Sequence, residues 1–187
     1  MTIPNILTFI RILIIPIFVV FFYLPVPWGH TVAAILFAIA AITDWLDGYL
    51  ARYLKQGSRF GTFLDPVADK LAVAVALVLI AGEMGSAYVA IPAAIIVGRE
   101  IVISGLREWM AEIGKRTSVK VSSIGKFKTV VQMLSLIILV LYKPSGLLLV
   151  KVIGLVLLYI AVLLTLWSMI MYLKAAWTDL TLSTNKE

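Results

Sequence analysis

The sequence predicts an all-α, polytopic membrane protein with six transmembrane helices around a polar cavity that faces the cytoplasm. Of the 187 residues, 62% are hydrophobic and only 14% are charged, which is typical of a chain whose surface contacts lipid. Apolar runs of membrane-spanning length follow one another along the chain, so we expect one transmembrane domain over residues 1–187. Four aspartates lie at the ends of two of these runs, and they indicate a polar cavity between the helices.

The first three predicted spans cover residues 6–24, 31–52 and 66–82. The first span is longer than the apolar core of a signal peptide and lacks a small-residue cleavage pattern, so we interpret it as a retained helix. The second span contains two aspartates in its last third. The third begins at Pro66, directly after Asp65, and this pair is typical of a helix start.

The last three predicted spans cover residues 87–107, 127–142 and 147–173. The fourth carries two adjacent charged residues, Arg99 and Glu100, near its middle. A basic segment precedes the fifth span, and the sixth span is the longest. Because the number of spans is even, both chain ends are predicted on the same side of the membrane.

The basic residues predict the orientation of this bundle. The connections at 25–30 and 83–86 contain no Lys or Arg, whereas the segments 52–65 and 107–126 are rich in both. By the positive-inside rule both termini are therefore cytoplasmic. The exceptions, which lie on the opposite side, are Lys143 and Lys151.

The net charge of +6 indicates anionic partners. Because the basic residues lie between apolar runs, membrane lipid headgroups and phosphorylated substrates fit this charge better than nucleic acid. The chain contains no cysteine, which excludes disulfides, thiolate metal sites and cysteine nucleophiles. The single histidine, His30, lies in a far-side connection, and we expect no functional role for it.

The spacing of the four aspartates predicts a metal site. Asp44 and Asp47 are three positions apart on the second span, and Asp65 and Asp69 are four positions apart on the third, so each pair lies on one helical face. In the predicted topology all four lie near the cytoplasmic surface. A charged side chain at the membrane centre costs about 2.5–3.5 kcal/mol, and four hard oxygen donors suit divalent cations. Gly48, one turn after Asp44, either serves helix packing or admits a bulky anion beside the cations.

The aspartates also have structural explanations. Asp65 before Pro66 is a typical N-cap, but capping does not explain Asp69 inside the helix. The two aspartates of the second span could instead form structural ion pairs with Arg52 or Lys70.

Residues 44–69 resemble the signature of the CDP-alcohol phosphatidyltransferases. The pattern D-x2-D-G-x2-A-R-x8-G-x3-D-x3-D is present without departure, with eight fixed identities over 26 positions. These identities are Asp44, Asp47, Gly48, Ala51, Arg52, Gly61, Asp65 and Asp69. The segments PNILTFIR, REIVISGLREWMAEIGK and SSIGKFKT extend the resemblance over nearly the whole chain. They are similar to the bacterial branch of the family that uses glycerol 3-phosphate as acceptor.

This resemblance implies transfer of a phosphatidyl group from CDP-diacylglycerol to a hydroxyl of glycerol 3-phosphate, with release of CMP. It implies two Mg2+ or Mn2+ ions, because cations neutralise the charge on the reacting diphosphate. It also implies a homodimer in the cytoplasmic membrane of a bacterium. By resemblance, the metals are held by Asp44, Asp47, Asp65 and Asp69, the general base is Asp69, and the CDP moiety is bound by Gly48, Ala51, Arg52 and Gly61.

Basic residues outside the signature are the candidates for binding the acceptor phosphate. Arg107, Lys126 and Lys128 could supply these contacts, although cytoplasmic Lys and Arg also occur for topology and headgroup binding. Arg99 lies in mid-span beside Glu100. Because adjacent positions on a helix do not face each other, we expect each of these two residues to have another partner.

A polar stripe on the first span is predicted to line the same cavity as Arg99. Asn5, Thr8 and Arg11 follow one another at three-residue spacing, which places them along one side of a helix. A helix cap and a snorkelling arginine are the alternative explanation.

Three other functions are compatible with the sequence. The chain could use phosphatidylglycerol, inositol phosphate or serine as acceptor, which a panel of acceptors would decide. It could be a cation transporter, although the carboxylates cluster at one depth and only Glu83 lies on the far loop. It could be a membrane scaffold, for which the aspartate cluster would be unnecessary.

Overall fold

The computed structural model describes residues 3–54, 59–113 and 123–182, and within these ranges it contains helices and turns but no strand. The six helices are α1 (Ile3–Tyr23), α2 (Gly29–Leu54), α3 (Arg59–Met84), α4 (Ala87–Glu112), α5 (Ser123–Leu141) and α6 (Leu148–Leu182). Each predicted span corresponds to one of these helices. The all-α prediction is therefore confirmed for the described part of the chain.

The predicted start of the third span is wrong. Helix α3 begins at Arg59, so Asp65 and Pro66 lie inside it rather than at its start. Proline removes one backbone hydrogen bond, and helices in membranes tolerate this loss because neighbouring groups satisfy the freed carbonyl. The N-cap explanation for Asp65 is therefore also wrong. The sixth helix continues beyond the predicted end at residue 173, to Leu182.

The helices form a closed ring in the order α1, α2, α5, α6, α4, α3. Each helix packs against the next, α3 closes the ring on α1, and α3 also contacts α2 and α5. The fully buried side chains in the core include Phe18, Leu77, Ile96, Leu136 and Leu158. The core thus draws residues from α1, α3, α4, α5 and α6.

Much of the apolar surface faces outward. Within the described ranges, three helices contain segments long and apolar enough to cross a membrane, and only 28% of the most apolar window of each is buried inside the protein. These segments are Ile6–Tyr23, Ala87–Glu112 and Leu148–Trp177. Shorter apolar segments cover Gly29–Asp44 and Phe127–Leu141. Exposed apolar helices of this length favour an integral membrane protein.

Glycine is favoured at two positions, at one by the backbone conformation and at the other by helix packing. Gly85 joins α3 to α4 with a φ of 54°, a left-handed conformation that glycine adopts without steric cost. Gly154 lies where α6 approaches α5, and a Cβ atom there would come within 2.6 Å of Leu139 Cδ2. Glycine therefore permits the close packing of α5 and α6.

His30 joins several helices at the end of the bundle opposite to the aspartates. Its Nδ1 lies 3.0 Å from the carbonyl oxygen of Val140 on α5, and its Nε2 lies 3.3 Å from Glu83 Oε1 on α3. Its ring also packs on Phe22 of α1. A carbonyl oxygen can only accept, so Nδ1 carries the proton in this contact. Sequence reasoning gave His30 no role, whereas the structure gives it these packing contacts.

Candidate active site

Two residues of α1 contact the aspartates of α2 and α3. Thr8 Oγ1 donates a hydrogen bond to Asp65 Oδ1. Arg11 Nη1 donates to Asp44 Oδ1 at 3.1 Å and also to Asp69 Oδ1. Thr8 and Arg11 are 0% and 1% exposed, so their polar atoms require buried partners. The structure thus brings Asp44 and Asp69 to one side chain of α1 and Asp65 to another side chain of the same helix.

The local sequence explains this convergence. Thr8 and Arg11 are three positions apart on α1, and Asp65 and Asp69 are four positions apart on α3, so each pair shares one helical face. Asp44 lies in the carboxyl-terminal half of α2, whereas the other four residues lie in the amino-terminal halves of their helices. The site therefore lies toward one end of the bundle.

A small cavity adjoins the aspartates. It is lined by Arg11, Asp44 and Asp69 and by apolar side chains that include Phe37 and Met133. Met133 belongs to α5, so that helix also forms part of the wall. Four helices, α1, α2, α3 and α5, thus surround the polar groups.

The described carboxylates are ligands of the kind that divalent cations bind. Asp44 Oδ1 and Asp69 Oδ1 both contact the same guanidinium nitrogen, Arg11 Nη1, so these two carboxylates already converge on one positive centre. Asp65 lies one turn from Asp69 on α3. Carboxylate oxygens are the ligands that Mg2+ and Mn2+ prefer. Among the side chains that the structure describes, no group of three or more Asp, Glu, His or Cys residues is close enough to hold an ion.

Several predicted site residues lie outside the described side chains. Four of them belong to the last turns of α2: Asp47, Gly48, Ala51 and Arg52. Two more are Asn5 on α1 and Lys126 on α5. Gly61 is described and is buried in the first turn of α3. The predicted CDP-binding group therefore stays a prediction.

A second polar cluster joins α4, α5 and α6. Arg99 Nη1 lies 2.5 Å from Glu100 Oε1, and Lys128 Nζ lies 2.9 Å from the same oxygen. Arg99 Nη2 also donates to Ser168 Oγ at 2.7 Å. The side chains of Arg99, Glu100 and Lys128 are 10%, 28% and 5% exposed. Sequence reasoning identified Arg99 and Lys128 but missed Glu100 and Ser168 as site residues.

One expectation about this cluster is wrong. Arg99 and Glu100 were not expected to face each other, but their long side chains bend together and form a direct ion pair. The expectation that each has another partner is confirmed, since Arg99 contacts Ser168 and Glu100 contacts Lys128. The sequence feature that indicated this cluster was a pair of opposite charges inside an apolar span.

The structure places the predicted acceptor-phosphate residues in different environments. Lys128 is buried and bound to Glu100, whereas Arg107 is exposed on α4. Between α3 and α4 a groove of about 570 Å³ is lined mainly by apolar side chains. Its polar lining residues are Lys70, Glu100, Ser104 and Glu108. Glu100 thus contacts the buried cations and also borders a surface groove.

Comparison with known proteins gives the family context. A sequence profile described as CDP-alcohol phosphatidyltransferase matches residues 1–167, a range that includes all four aspartates. A CDP-diacylglycerol–glycerol-3-phosphate 3-phosphatidyltransferase of Yersinia pestis (strain Pestoides F) is 57% identical to the chain over 180 residues, which cover 96% of the chain and 97% of that relative. A protein of the same name from Shigella flexneri serotype 5b (strain 8401) is 54% identical over 178 residues, or 95% of the chain and 96% of the relative.

Proposed function

Because the chain belongs to the CDP-alcohol phosphatidyltransferase family, we propose that it transfers a phosphatidyl group from CDP-diacylglycerol to glycerol 3-phosphate. The products are phosphatidylglycerophosphate and CMP. The acceptor follows from the relatives, which cover nearly the whole chain and carry this activity in their names. The chemistry follows from the site, where the contacts of Thr8 and Arg11 gather Asp44, Asp65 and Asp69 at one end of the bundle.

In this proposal the aspartates hold two divalent ions, Mg2+ or Mn2+. Asp44, Asp47 and Asp65 are the ligands, and Asp69 contributes to the same site. When bound, the ions neutralise the diphosphate of CDP-diacylglycerol and favour an in-line displacement. Arg11 supports this arrangement, because its guanidinium keeps Asp44 and Asp69 close together despite their like charge.

The reaction requires a base and a leaving group. Asp69 accepts the proton of the attacking glycerol 3-phosphate hydroxyl, whose oxygen forms a new bond to the phosphatidyl phosphorus. The bond from this phosphorus to the bridging oxygen breaks, and CMP leaves with that oxygen. Gly48, Ala51, Arg52 and Gly61 bind the CDP moiety in this scheme, since the family signature places them beside the aspartates.

The acceptor phosphate needs cationic partners, because an aspartate-rich site does not attract a dianion. Lys128, Lys126 and Arg107 on α4 and α5 are the proposed partners. Lys128 is buried, where a charge-assisted hydrogen bond is less screened than at the surface. Arg107 is exposed and would meet the acceptor at the entrance.

We further propose six membrane spans in one domain, with both termini in the bacterial cytoplasm and a homodimeric assembly. The six helices and the excess of Lys and Arg in residues 52–65 and 107–126 support the topology. In this orientation the aspartates lie near the cytoplasmic surface. CDP and glycerol 3-phosphate then stay in water while the lipid tails stay in the bilayer.

The direct test is CMP release by the purified protein in detergent, with CDP-diacylglycerol as donor. We expect release that requires both glycerol 3-phosphate and Mg2+, with phosphatidylglycerophosphate identified by mass, and no release by the Asp44→Asn variant. Inositol phosphate, phosphatidylglycerol and serine serve as alternative acceptors. Faster release with one of them would correct the acceptor, and no release with any acceptor would refute the transferase proposal.

A further inference from the structure

Two buried cations share one carboxylate oxygen in the cluster of α4, α5 and α6. Arg99 Nη1 and Lys128 Nζ lie 2.5 Å and 2.9 Å from Glu100 Oε1. These three side chains carry a net charge of +1, because one carboxylate faces two cations. A structural ion pair would need one cation only, and a buried charge without full compensation is unfavourable. The surplus positive charge therefore favours an anionic ligand.

The cluster is held rigidly on one side. Arg99 Nη2 donates to Ser168 Oγ at 2.7 Å, and Ser168 Oγ donates to the Thr165 carbonyl oxygen at 2.9 Å. The buried Nε of Arg99 has no hydrogen-bond partner among the described residues. Arg99 is thus anchored to α6, while one of its donors is left for a further acceptor.

The cluster also lies on a helix that borders the aspartate cavity. Met133 of α5 lines that cavity together with Asp44 and Asp69. Lys128 is five residues before Met133 on the same helix, a rise of about 7.5 Å along the axis. Lys128 and the residue that lines the aspartate cavity are thus less than two turns of α5 apart.

Resting on the proposed function, we infer that Glu100 is a positioning residue for the acceptor phosphate. Glu100 holds the Lys128 ammonium and the Arg99 guanidinium side by side, so that both face one phosphate group of the acceptor. The lysine side chain is long and flexible, and without a partner its buried ammonium would turn away or lose its proton. The phosphate then supplies the negative charge that the cluster lacks.

The test compares Glu100→Gln and Glu100→Asp with the wild-type enzyme in the CMP-release assay. We expect Glu100→Gln to raise the KM for glycerol 3-phosphate about tenfold or more, and to raise the inhibition constant of inorganic phosphate in parallel. The KM for CDP-diacylglycerol should change less than twofold. Glu100→Asp keeps the carboxylate and should restore part of the acceptor affinity. Glu112→Gln, an exposed carboxylate on the same helix, is the matched control and should leave all three constants unchanged.

Ser168→Ala provides a second variant, because it removes the anchor of Arg99 without changing any charge. It should raise the KM for glycerol 3-phosphate about two- to threefold, even if Glu100→Gln does not fold. An unchanged acceptor KM in the folded variants, with only a lower melting temperature, would make the cluster purely structural and overturn the inference. A lower acceptor KM in Glu100→Gln would also overturn it, because Glu100 would then compete with phosphate. A wild-type enzyme without glycerol 3-phosphate-dependent CMP release would refute the proposed function instead.

Discussion

Arg11 on α1 donates a hydrogen bond to Asp44 on α2 at 3.1 Å, although 33 positions separate the two residues in the sequence. The same nitrogen contacts Asp69 on α3. Two carboxylates that contact the same nitrogen atom would otherwise repel each other. The buried guanidinium therefore holds the three helices together at the site by its own charge.

We predict that Arg11→Ala destabilises the protein by about 1.5–3 kcal/mol, the usual contribution of a hydrogen bond to a charged group, because the side chains of Asp44 and Asp69 are 36% exposed and keep part of their hydration. Mg2+ should stabilise this variant more than the wild type, because the ion would then supply the missing positive charge. Arg11→Lys should be intermediate, and Lys174→Ala, an exposed cation on α6, is the control. Thermal melting in detergent, with and without Mg2+, measures these effects. Equal Mg2+ shifts in Arg11→Ala and wild type would contradict the proposed role of these carboxylates.

The second prediction concerns metal dependence. Asp44→Asn, Asp47→Asn and Asp65→Asn should each lose nearly all turnover while the protein still inserts into membranes, because an amide is a weaker ligand than a carboxylate and carries no charge. Saturating chelator should have the same effect on the wild type. CMP release from membranes containing equal amounts of each variant measures this, with Glu112→Gln as the carboxylate control.

Two results would change the assignment of metal ligands. Full wild-type activity in saturating chelator would end the metal proposal. A single variant that keeps most of the wild-type rate would remove that aspartate alone from the ligands.

Sequence reasoning predicted an aspartate site because the residue spacing on which it relied is local information. The spacing of Asp65 and Asp69 fixes a helical face, and the polar stripe of Thr8 and Arg11 stands out against an apolar span. What the spacing could not give was the partner of each residue. The contacts of Thr8 with Asp65 and of Arg11 with Asp44 depend on how α1, α2 and α3 pack.

Three errors of sequence reasoning have separate physical reasons. The start of α3 was placed too late, because proline is favoured at helix starts but is also tolerated inside membrane helices, where neighbouring groups satisfy the freed carbonyl. The Arg99–Glu100 pair was missed because the rule that adjacent positions do not meet applies to short side chains better than to long ones. The link from Lys128 to Glu100 depends on helices packed together from distant parts of the sequence. Neither periodicity nor charge reports such packing.

A third prediction separates the two roles of Asp69. If Asp69 mainly accepts the proton, Asp69→Asn should lower the chemical step strongly but leave CDP-diacylglycerol binding largely intact, because Asp44, Asp47 and Asp65 still hold the metals. Single-turnover rates and a separate measurement of CDP-diacylglycerol binding distinguish these effects. Loss of nucleotide binding in parallel with the rate would identify Asp69 chiefly as a ligand.

The fourth prediction concerns Arg107, the exposed member of the proposed acceptor site. Arg107→Ala should raise the KM for glycerol 3-phosphate by about tenfold or more, if a charge-assisted contact of about 1.5–3 kcal/mol is lost. The KM for CDP-diacylglycerol should change little. Lys128→Ala should show the same selectivity, but with a lower melting temperature, because it leaves Glu100 with one partner fewer. Unchanged acceptor kinetics in both variants would assign these residues to topology or headgroup binding.

The last prediction concerns Glu83, at the end of α3 far from the aspartates. Burial raises the pKa of its carboxyl above the ordinary value of 4.5, and the nearby His30 opposes this shift more weakly. A raised pKa in the folded state means that the folded protein binds the proton more tightly than the unfolded chain. The stabilisation from Glu83 is therefore complete below pH 4.5 and is lost as the pH rises through the raised pKa.

Because His30 contacts Glu83 and lowers its pKa, the experiment uses a background without this histidine. We compare His30→Gln with the double variant His30→Gln/Glu83→Gln by thermal melting between pH 4.5 and pH 7.5. As the pH rises, the melting temperature of the single variant should fall relative to that of the double variant, since only the single variant must ionise a partly buried carboxyl. In the presence of His30 the loss should begin at lower pH, because the imidazole lowers the Glu83 pKa. A melting-temperature difference that stays constant over this range would show that Glu83 has the same pKa in the folded and unfolded protein.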